Sequence, residues 1–371
     1  MSESQPADQK TAKTEGLLEE LTNTPGPSGF EGPVRAVVRR ELESAADSLD
    51  TDGIGSLIAR HRGSADTPRI LLSAHMDELG LMVRRITDEG FLKFQTLGGW
   101  LDQALINQRW VVHTSSGPVP GITGIKTIHV MKADARSEVF GHDEMFLDVG
   151  AIDREDAEKR LGIRPGDPIV PDSTFLRFAG DDILLGKAWD DRVGVAAMTR
   201  VIQELASGGS HPNEVHVVAT VQEEVELRGA QTGSYVVDAD LAINLESGVA
   251  ADYPGITQDE AQEKLGGGPS LFLHDSSMLP NLRLRDFVVE LAKELAIPLQ
   301  FNVLAGYGQD GSAAQRSRGG APTINIAVPT RYLHSHNGLI HRRDVDQAIT
   351  LVAELIRRLD RQAVAKIRRF D

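Results

Sequence analysis

Apolar positions along this chain follow two different periods. At 17–21 and 31–46 they recur at helical spacing, with Val34, Val37, Val38 and Leu42 on one face. A Pro- and Gly-rich turn at 24–30 separates these two predicted helices. Strands are predicted at 56–60 and 69–74. The second, Ile70-Leu71-Leu72-Ser73-Ala74, is nearly continuous in apolar character, as a strand covered on both faces should be.

From 81 to about 177 the pattern changes to short strands (81–86, 91–96, 110–114 and 169–171) joined by turns such as Asp88-Glu89-Gly90, with one short helix near 154–161. Beyond it helices and strands alternate. A helix carries Val193, Ala196, Ala197, Val201, Ile202 and Leu205, and a strand covers 215–221. Then come a helix near 229–237, a strand at 241–245, a helix at 281–295 and a strand at 300–304. A short helix after Gly311, a strand at 323–327 and a last helix at 344–358 complete the pattern. The order predicts an α/β fold, a mixed sheet flanked by helices, with a small β-rich domain inserted. The expected divisions are a disordered tail at 1–15, a catalytic domain at 16–77 and 178–371, and an insert at 78–177.

Chemistry concentrates where the predicted strands end. The strand at 215–221 runs into Glu223-Glu224. Two carboxylates about 4 Å apart repel by about 4 kcal/mol at an effective dielectric of 20, so such a pair is costly unless a cation or proton is held there. A solvated loop pair is the alternative. The strand at 69–74 ends on His75-Met76-Asp77, and the strand at 241–245 on Glu246. Asp190-Asp191 precede a helix, and His334-Ser335-His336 follow the strand at 323–327. Asp191 suits a helix N-cap. In an open α/β sheet the carboxyl ends of strands bind ligands. His75, Asp190, Glu224, Glu246 and His334 therefore form a candidate set for two divalent ions of borderline softness, Zn, Co or Mn. Of the adjacent Glu223 and Glu224, one can hold metal while its neighbour acts as general base, and Asp77 can orient His75. His113, His129 and His142 receive no role, and His274 and Asp275 suit either a pocket lining or a turn.

The composition narrows the field. The chain has 371 residues, a formal charge of −15 and no cysteine. That charge argues against nucleic acid as a partner, and any metal must be held by His and carboxylate. No apolar run reaches the length of a membrane span. The polar N-terminus lacks the apolar core of a signal peptide, so a cytoplasmic location is expected.

The segments Ser73-Ala74-His75-Met76-Asp77-Glu78-Leu79-Gly80, Gly186-Lys187-Ala188-Trp189-Asp190-Asp191-Arg192, Val221-Gln222-Glu223-Glu224, Ala251-Asp252-Tyr253-Pro254-Gly255 and Pro329-Thr330-Arg331-Tyr332-Leu333-His334-Ser335 occur in this order. Together with Pro27-Ser28-Gly29-Phe30-Glu31 and Asp148-Val149-Gly150, they resemble metallopeptidase family forty-two, the tetrahedral aminopeptidases of glutamyl and deblocking type. The resemblance covers about 17–356. It implies a zinc-peptidase-like catalytic domain and a β-barrel-like insert serving dimerisation or as a lid. It also implies two Zn or Co ions bridged by Asp190. His75 and Glu246 would complete one site and Glu224 and His334 the other, with Glu223 as base and Asp77 steering His75. Dimers building a dodecamer around an internal cavity would restrict substrates to peptides.

Two departures stand out: Glu246 where the family usually carries Asp, and His336-Asn337-Gly338 where Pro and an acidic residue usually follow. His336 suits a surface position or the pocket rim. The leading expectation is removal of N-terminal residues from short peptides by a metal-bound hydroxide. Glu246 motivates the alternative of a deacylase or amidase acting on N-acylated or modified small peptides. An endoglucanase-type glycosidase, which needs two carboxylates and no metal, leaves His75 and His334 without a task. A non-catalytic scaffold is a further reading.

Overall fold

The computed structural model describes residues 6–370, other than 134, 135, 137, 179 and 181. Helices α1 (Pro6–Asn23) and α2 (Gly32–Leu42) come first, followed by strands β1 (Ser48–Thr51), β2 (Leu57–Arg62) and β3 (Arg69–His75). Next are β4 (Gly80–Ile86), β5 (Leu92–Leu97), β6 (Arg109–Thr114), β7 (Gly117–Gly124), β8 (Phe146–Asp148), helix α3 (Arg154–Lys159) and β9 (Pro168–Pro171). Then follow β10 (Leu176–Arg177), β11 (Ile183–Gly186), α4 (Trp189–Ser207), β12 (Glu214–Thr220), α5 (Arg228–Val237) and β13 (Leu241–Val249). The chain continues through β14 (Ser270–Asp275), α6 (Leu282–Glu294), β15 (Gln300–Leu304), α7 (Gly311–Arg316), β16 (Thr323–Arg331), β17 (Gly338–His341), α8 (Arg342–Arg358) and α9 (Arg361–Ile367).

The apolar strands pair at the centre of one large sheet, ordered β1-β2-β12-β3-β13-β16-β17-β11-β10, with β14 and β15 branching from β16. Its middle strands β12, β3, β13 and β16 run parallel, so their carboxyl ends share one edge. Helices α1, α4 and α8 pack together on one face, and α5 and α7 on the other. Ile70, Leu72, Ile243, Leu245 and Ile326 meet Val193, Ala197 and Val201 of α4 there, all fully buried. Each such side chain contributes about 1.5–3 kcal/mol of burial. The short strands close into a separate barrel, β4-β5-β8-β7-β6-β9, spanning Gly80 to Pro171. It has its own core of Leu81, Val83, Phe94, Trp110, Val112 and Ile169. Little β10, also inside the expected insert, pairs instead with β11 of the large sheet.

The structure corrects three expectations. The tail expected at 1–15 is helical from Pro6 onward, and residues 1–5 lie outside the described residues. Thr14, Glu15, Leu17, Leu18 and Leu21 are buried, and Glu15 pairs with Arg177 at 2.5 Å, so α1 is docked along its C-terminal part. Strand β13 extends to Val249 and does not stop before Glu246. Its parallel pairing with β16 continues from Glu246↔Ala327 to Val249↔Thr330 after the apolar pattern has ended. Third, the strand expected to run into Glu223-Glu224 stops short of them. Strand β12 ends at Thr220, and Gln222 turns the chain at φ 57°.

Candidate active site

His75 is the last residue of β3 and is almost fully buried. Its Nδ1 lies 3.1 Å from the carbonyl oxygen of Asp77 and 3.5 Å from Asp77 Oδ1. Its Nε2 faces Asp190 Oδ1 at 3.0 Å, Glu246 Oε1 at 3.5 Å and Glu223 Oε2 at 3.8 Å. His334, in the loop after β16, is arranged in the same way. Its Nδ1 lies 2.6 Å from the Gly99 carbonyl oxygen, while Nε2 faces Asp190 Oδ2 at 3.4 Å and Glu224 Oε2 at 3.8 Å. An imidazole that donates from Nδ1 to a carbonyl presents a lone pair at Nε2. Two such lone pairs aimed at four carboxylates repel unless positive charge lies between them.

Asp190 links the two histidines. It sits at the start of α4 in a non-helical conformation, φ −80° and ψ 102°, after Ala188 at φ 54°. Next to it, Asp191 turns inward. Its Oδ1 accepts from Gly194 N at 2.9 Å, as an N-cap residue does, and its Oδ2 from His75 N at 3.2 Å. Asp77 ties the Glu223-Glu224 turn to β3. It accepts from Glu223 N at 2.9 Å, Glu224 N at 3.2 Å and Ser28 Oγ at 2.6 Å. Glu224 Oε1 is buried without a hydrogen-bond partner.

Charge crowding leaves a clear signature here. Burial and the adjacent Asp190 push Glu224 up to about 8, and burial pushes Glu246 up to about 7. Burial also raises Glu223 well above its usual range, although His75 pulls it down. For Asp190 burial works upward, but hydrogen bonds from His334 and His75 win and hold it far below normal. Burial opposes the charged form of His334, yet Asp190 and Glu224 push it up to about 10. Carboxylates forced toward neutrality beside imidazoles forced toward charge are what a cation would relieve.

All seven predicted residues therefore lie in one cluster. His75, Asp190 and Glu246 form one group with donor atoms within 4.8 Å of one another, and Asp190, Glu224 and His334 form another. His75, Glu223 and Glu224 meet the same criterion. His336 is neither a surface nor a rim residue. It is buried between the rings of Trp100 and Trp110, at 5.5 and 4.3 Å, and burial pushes it down to about 4. Asp275 serves the turn after β14, accepting from Ser277 N and Met278 N, and His274 Nδ1 lies 3.5 Å from the Met278 carbonyl.

Sequence reasoning missed Tyr307, whose hydroxyl lies 3.5 Å from Asp190 Oδ2 and 3.2 Å from the Ser247 carbonyl. It also missed Asp310, buried in contact with Thr220 Oγ1, and the Gly99 carbonyl. A polar residue beside Gly-Gln-Asp-Gly was the available signal for the first two. Nothing in the sequence marks a backbone carbonyl.

The sequence model of the M42 glutamyl aminopeptidase family matches residues 55–351. The chain belongs to the M42 peptidases. As an M42 member it is a peptide-bond hydrolase of the metallopeptidase class, and that membership implies divalent metal. The TET aminopeptidase from a marine-sediment archaeon of the Thaumarchaeota superposes with a TM-score of 0.93 and 44% identity, over 96% of this chain and 99% of that one. The putative aminopeptidase FrvX of Escherichia coli is 35% identical over 356 residues, 95% of this chain and 98% of its own. The TET1 peptidase of Pyrococcus horikoshii can assemble into a tetrahedron or a large octahedral shell. It is 30% identical, with a TM-score of 0.83 over 93% of this chain and 100% of that one. Among the described residues, no helix is long and apolar enough to cross a membrane.

Proposed function

We propose that this M42 peptidase is a dinuclear aminopeptidase that removes N-terminal residues from short peptides. One observation carries the reading: the two oxygens of Asp190 face different histidines, Oδ1 toward His75 Nε2 and Oδ2 toward His334 Nε2. A carboxylate so placed can bridge two ions. His75 and Glu246 complete one N/O donor set, and Glu224 and His334 the other, which suits Zn, Co or Mn. The orphaned Glu224 Oε1 and the two Nε2 lone pairs fit such ions. When bound, a metal pair polarises the scissile carbonyl and acidifies water.

The chain's own residues do the rest. Glu223, near His75 but outside both donor sets, takes a proton from the attacking water and delivers it to the leaving amine nitrogen. Its raised pKa suits a group that must both accept and return that proton. Asp77 holds the backbone of Glu223 and Glu224 and steers His75. Glu223→Gln is expected to lower kcat on the order of 10²–10⁴-fold with two equivalents of metal still bound by elemental analysis. Loss of metal in that variant would mean that base and ligand are wrongly assigned.

The longer arm of Glu246 favours one second reading, a deacylase or amidase acting on N-acylated or modified small peptides. Activity confined to blocked peptides would establish it in place of the first. Self-association of this chain, to dimers and on to a dodecamer, is part of the proposal. Leu101, Ile122, Ile128 and Val130 are exposed apolar side chains within the insert that support a contact face there. Sedimentation of the purified protein as a monomer would remove this part.

A further inference from the structure

Two recesses open onto Asp190 and His334, and the charge of their walls bears on which N-terminal residues can enter. The first is a narrow cleft of about 20 Å³, walled mainly by Leu79, Trp100, Pro171, Trp189, Tyr332 and Leu333. Its remaining acid, Glu78, is already engaged. Lys187 Nζ lies 2.6 Å and Arg192 Nη2 3.5 Å from Glu78 Oε1, with all three side chains buried. The second recess, about 330 Å³, is bordered by five carboxylates, Asp190, Glu223, Glu224, Glu226 and Glu246, and by Tyr307 among its polar groups.

No Lys or Arg side chain lines either recess among the described residues. The nearby cations have other partners. Arg331 holds Asp252 through Nε and Nη2, both at 2.7 Å, and Arg228 lies 3.6 Å from Glu226. Two divalent ions would balance four of the five carboxylates around the second recess and leave Glu226, which already has Arg228, so no free positive charge faces the recess. An acidic side chain entering the first recess would lose water and find no cation, which is unfavourable for any carboxylate. In the second recess it would likewise find no free cation, and would pass the rim carboxylate Glu226.

We propose that this chain selects peptides with a neutral or basic N-terminal residue and rejects acidic ones. The second recess is the one wide enough for a side chain, and its lining suits neutral or basic ones. This runs against the glutamyl specificity in the family's description, and it rests on the aminopeptidase reading above. A carboxylate left without a cation partner in a partly desolvated recess corresponds to a loss on the order of tenfold in kcat/KM.

The test uses the metal-loaded, full-length protein with leucyl, lysyl and glutamyl p-nitroanilides, together with N-acetyl-leucyl p-nitroanilide. Leucyl and lysyl substrates are expected to exceed the glutamyl one in kcat/KM on the order of tenfold or more. A Glu226→Lys variant is expected to raise the glutamyl-to-lysyl ratio by a similar factor. Glutamyl turnover equal to or above leucyl turnover would overturn the proposal. So would an unaltered ratio in Glu226→Lys, because wall charge would then not be the discriminator. Hydrolysis of the acetylated substrate alone would instead overturn the aminopeptidase reading and this inference with it.

Discussion

Asp77 shows how much of the site depends on a residue outside both donor sets. Its carboxylate is fully buried, and burial alone would raise its pKa. Interactions with His75, Ser28 and the Glu223 amide outweigh that and lower it. A permanently ionised carboxylate here fixes three things together: the Ser28 turn, the ring of His75 and the amides that aim Glu223 and Glu224. Asp77→Asn keeps the shape but loses the charge and one acceptor. Metal affinity is expected to fall about 10–100-fold, read by competition with a chromogenic chelator, while circular dichroism stays native. Unchanged affinity would show that the His75 ring is oriented by its other neighbours alone. At this scale the sequence was informative for a simple reason. His75, Glu224 and Glu246 interrupt or terminate otherwise apolar runs, and a polar side chain there is costly without a purpose. Ser28 had no legible role because a serine in a loop is unremarkable until its neighbours are known, and Tyr307 was marked only by the Gly-Gln-Asp-Gly beside it.

Among the elements, the connection after β5 matters most. Gly98, at φ 80°, lies against Leu79 and Glu224, and a Cβ there would meet Leu79 Cδ2 in a clash and Glu224 Oε2 at 3.2 Å. The next residue supplies the carbonyl that holds His334. The barrel thus forms part of the wall of a site whose donor side chains all lie outside it. Gly98→Ala is expected to cost about 1–2 kcal/mol of stability and to weaken metal binding in the Glu224–His334 group more than in the His75–Glu246 group. Chemical denaturation and stepwise metal titration measure the two effects. Equal weakening of both groups would mean that the contact transmits a general disturbance. The helices were legible from their periodicity, and β3 and β12 from their apolar runs. The outer limit of β13 was not, because there the ladder with β16 carries polar residues that composition alone assigns to a loop.

For the molecule as a whole, an excess of acid is built into the interior as well as the surface. Glu263 is buried, with Oε1 accepting from Asn302 Nδ2 at 2.7 Å, and burial pushes it up to about 7. The folded form therefore binds this proton more tightly than the unfolded form, whose carboxyl titrates near 4.5. Its contribution to stability is fully present below pH 4.5 and is lost as the pH rises through 7. The loss amounts to up to about 3 kcal/mol. Glu263→Gln keeps the shape and removes the proton. It is expected to be more stabilising at pH 8 than at pH 5, as read from urea midpoints at the two pH values. An equal effect at both would mean that Glu263 is ionised throughout. The division into helices on a sheet and a strand-rich insert was visible in the changing period of the sequence. The order of strands across the sheet was not, since pairing between β12 and β3, well over a hundred residues apart, leaves no local trace.

The hold on His334 by the Gly99 carbonyl has a consequence for how this protein can change over generations. A carbonyl oxygen is the same whatever side chain its residue carries, and at Gly99 a Cβ would come no closer than 3.4 Å, to His334 Nδ1. Point substitutions at this position therefore have little to select against. Inserting or deleting one residue between β5 and Trp100 would turn that oxygen away and release the imidazole. Natural drift in this connection should accordingly be free in spelling at Gly99 and fixed in length.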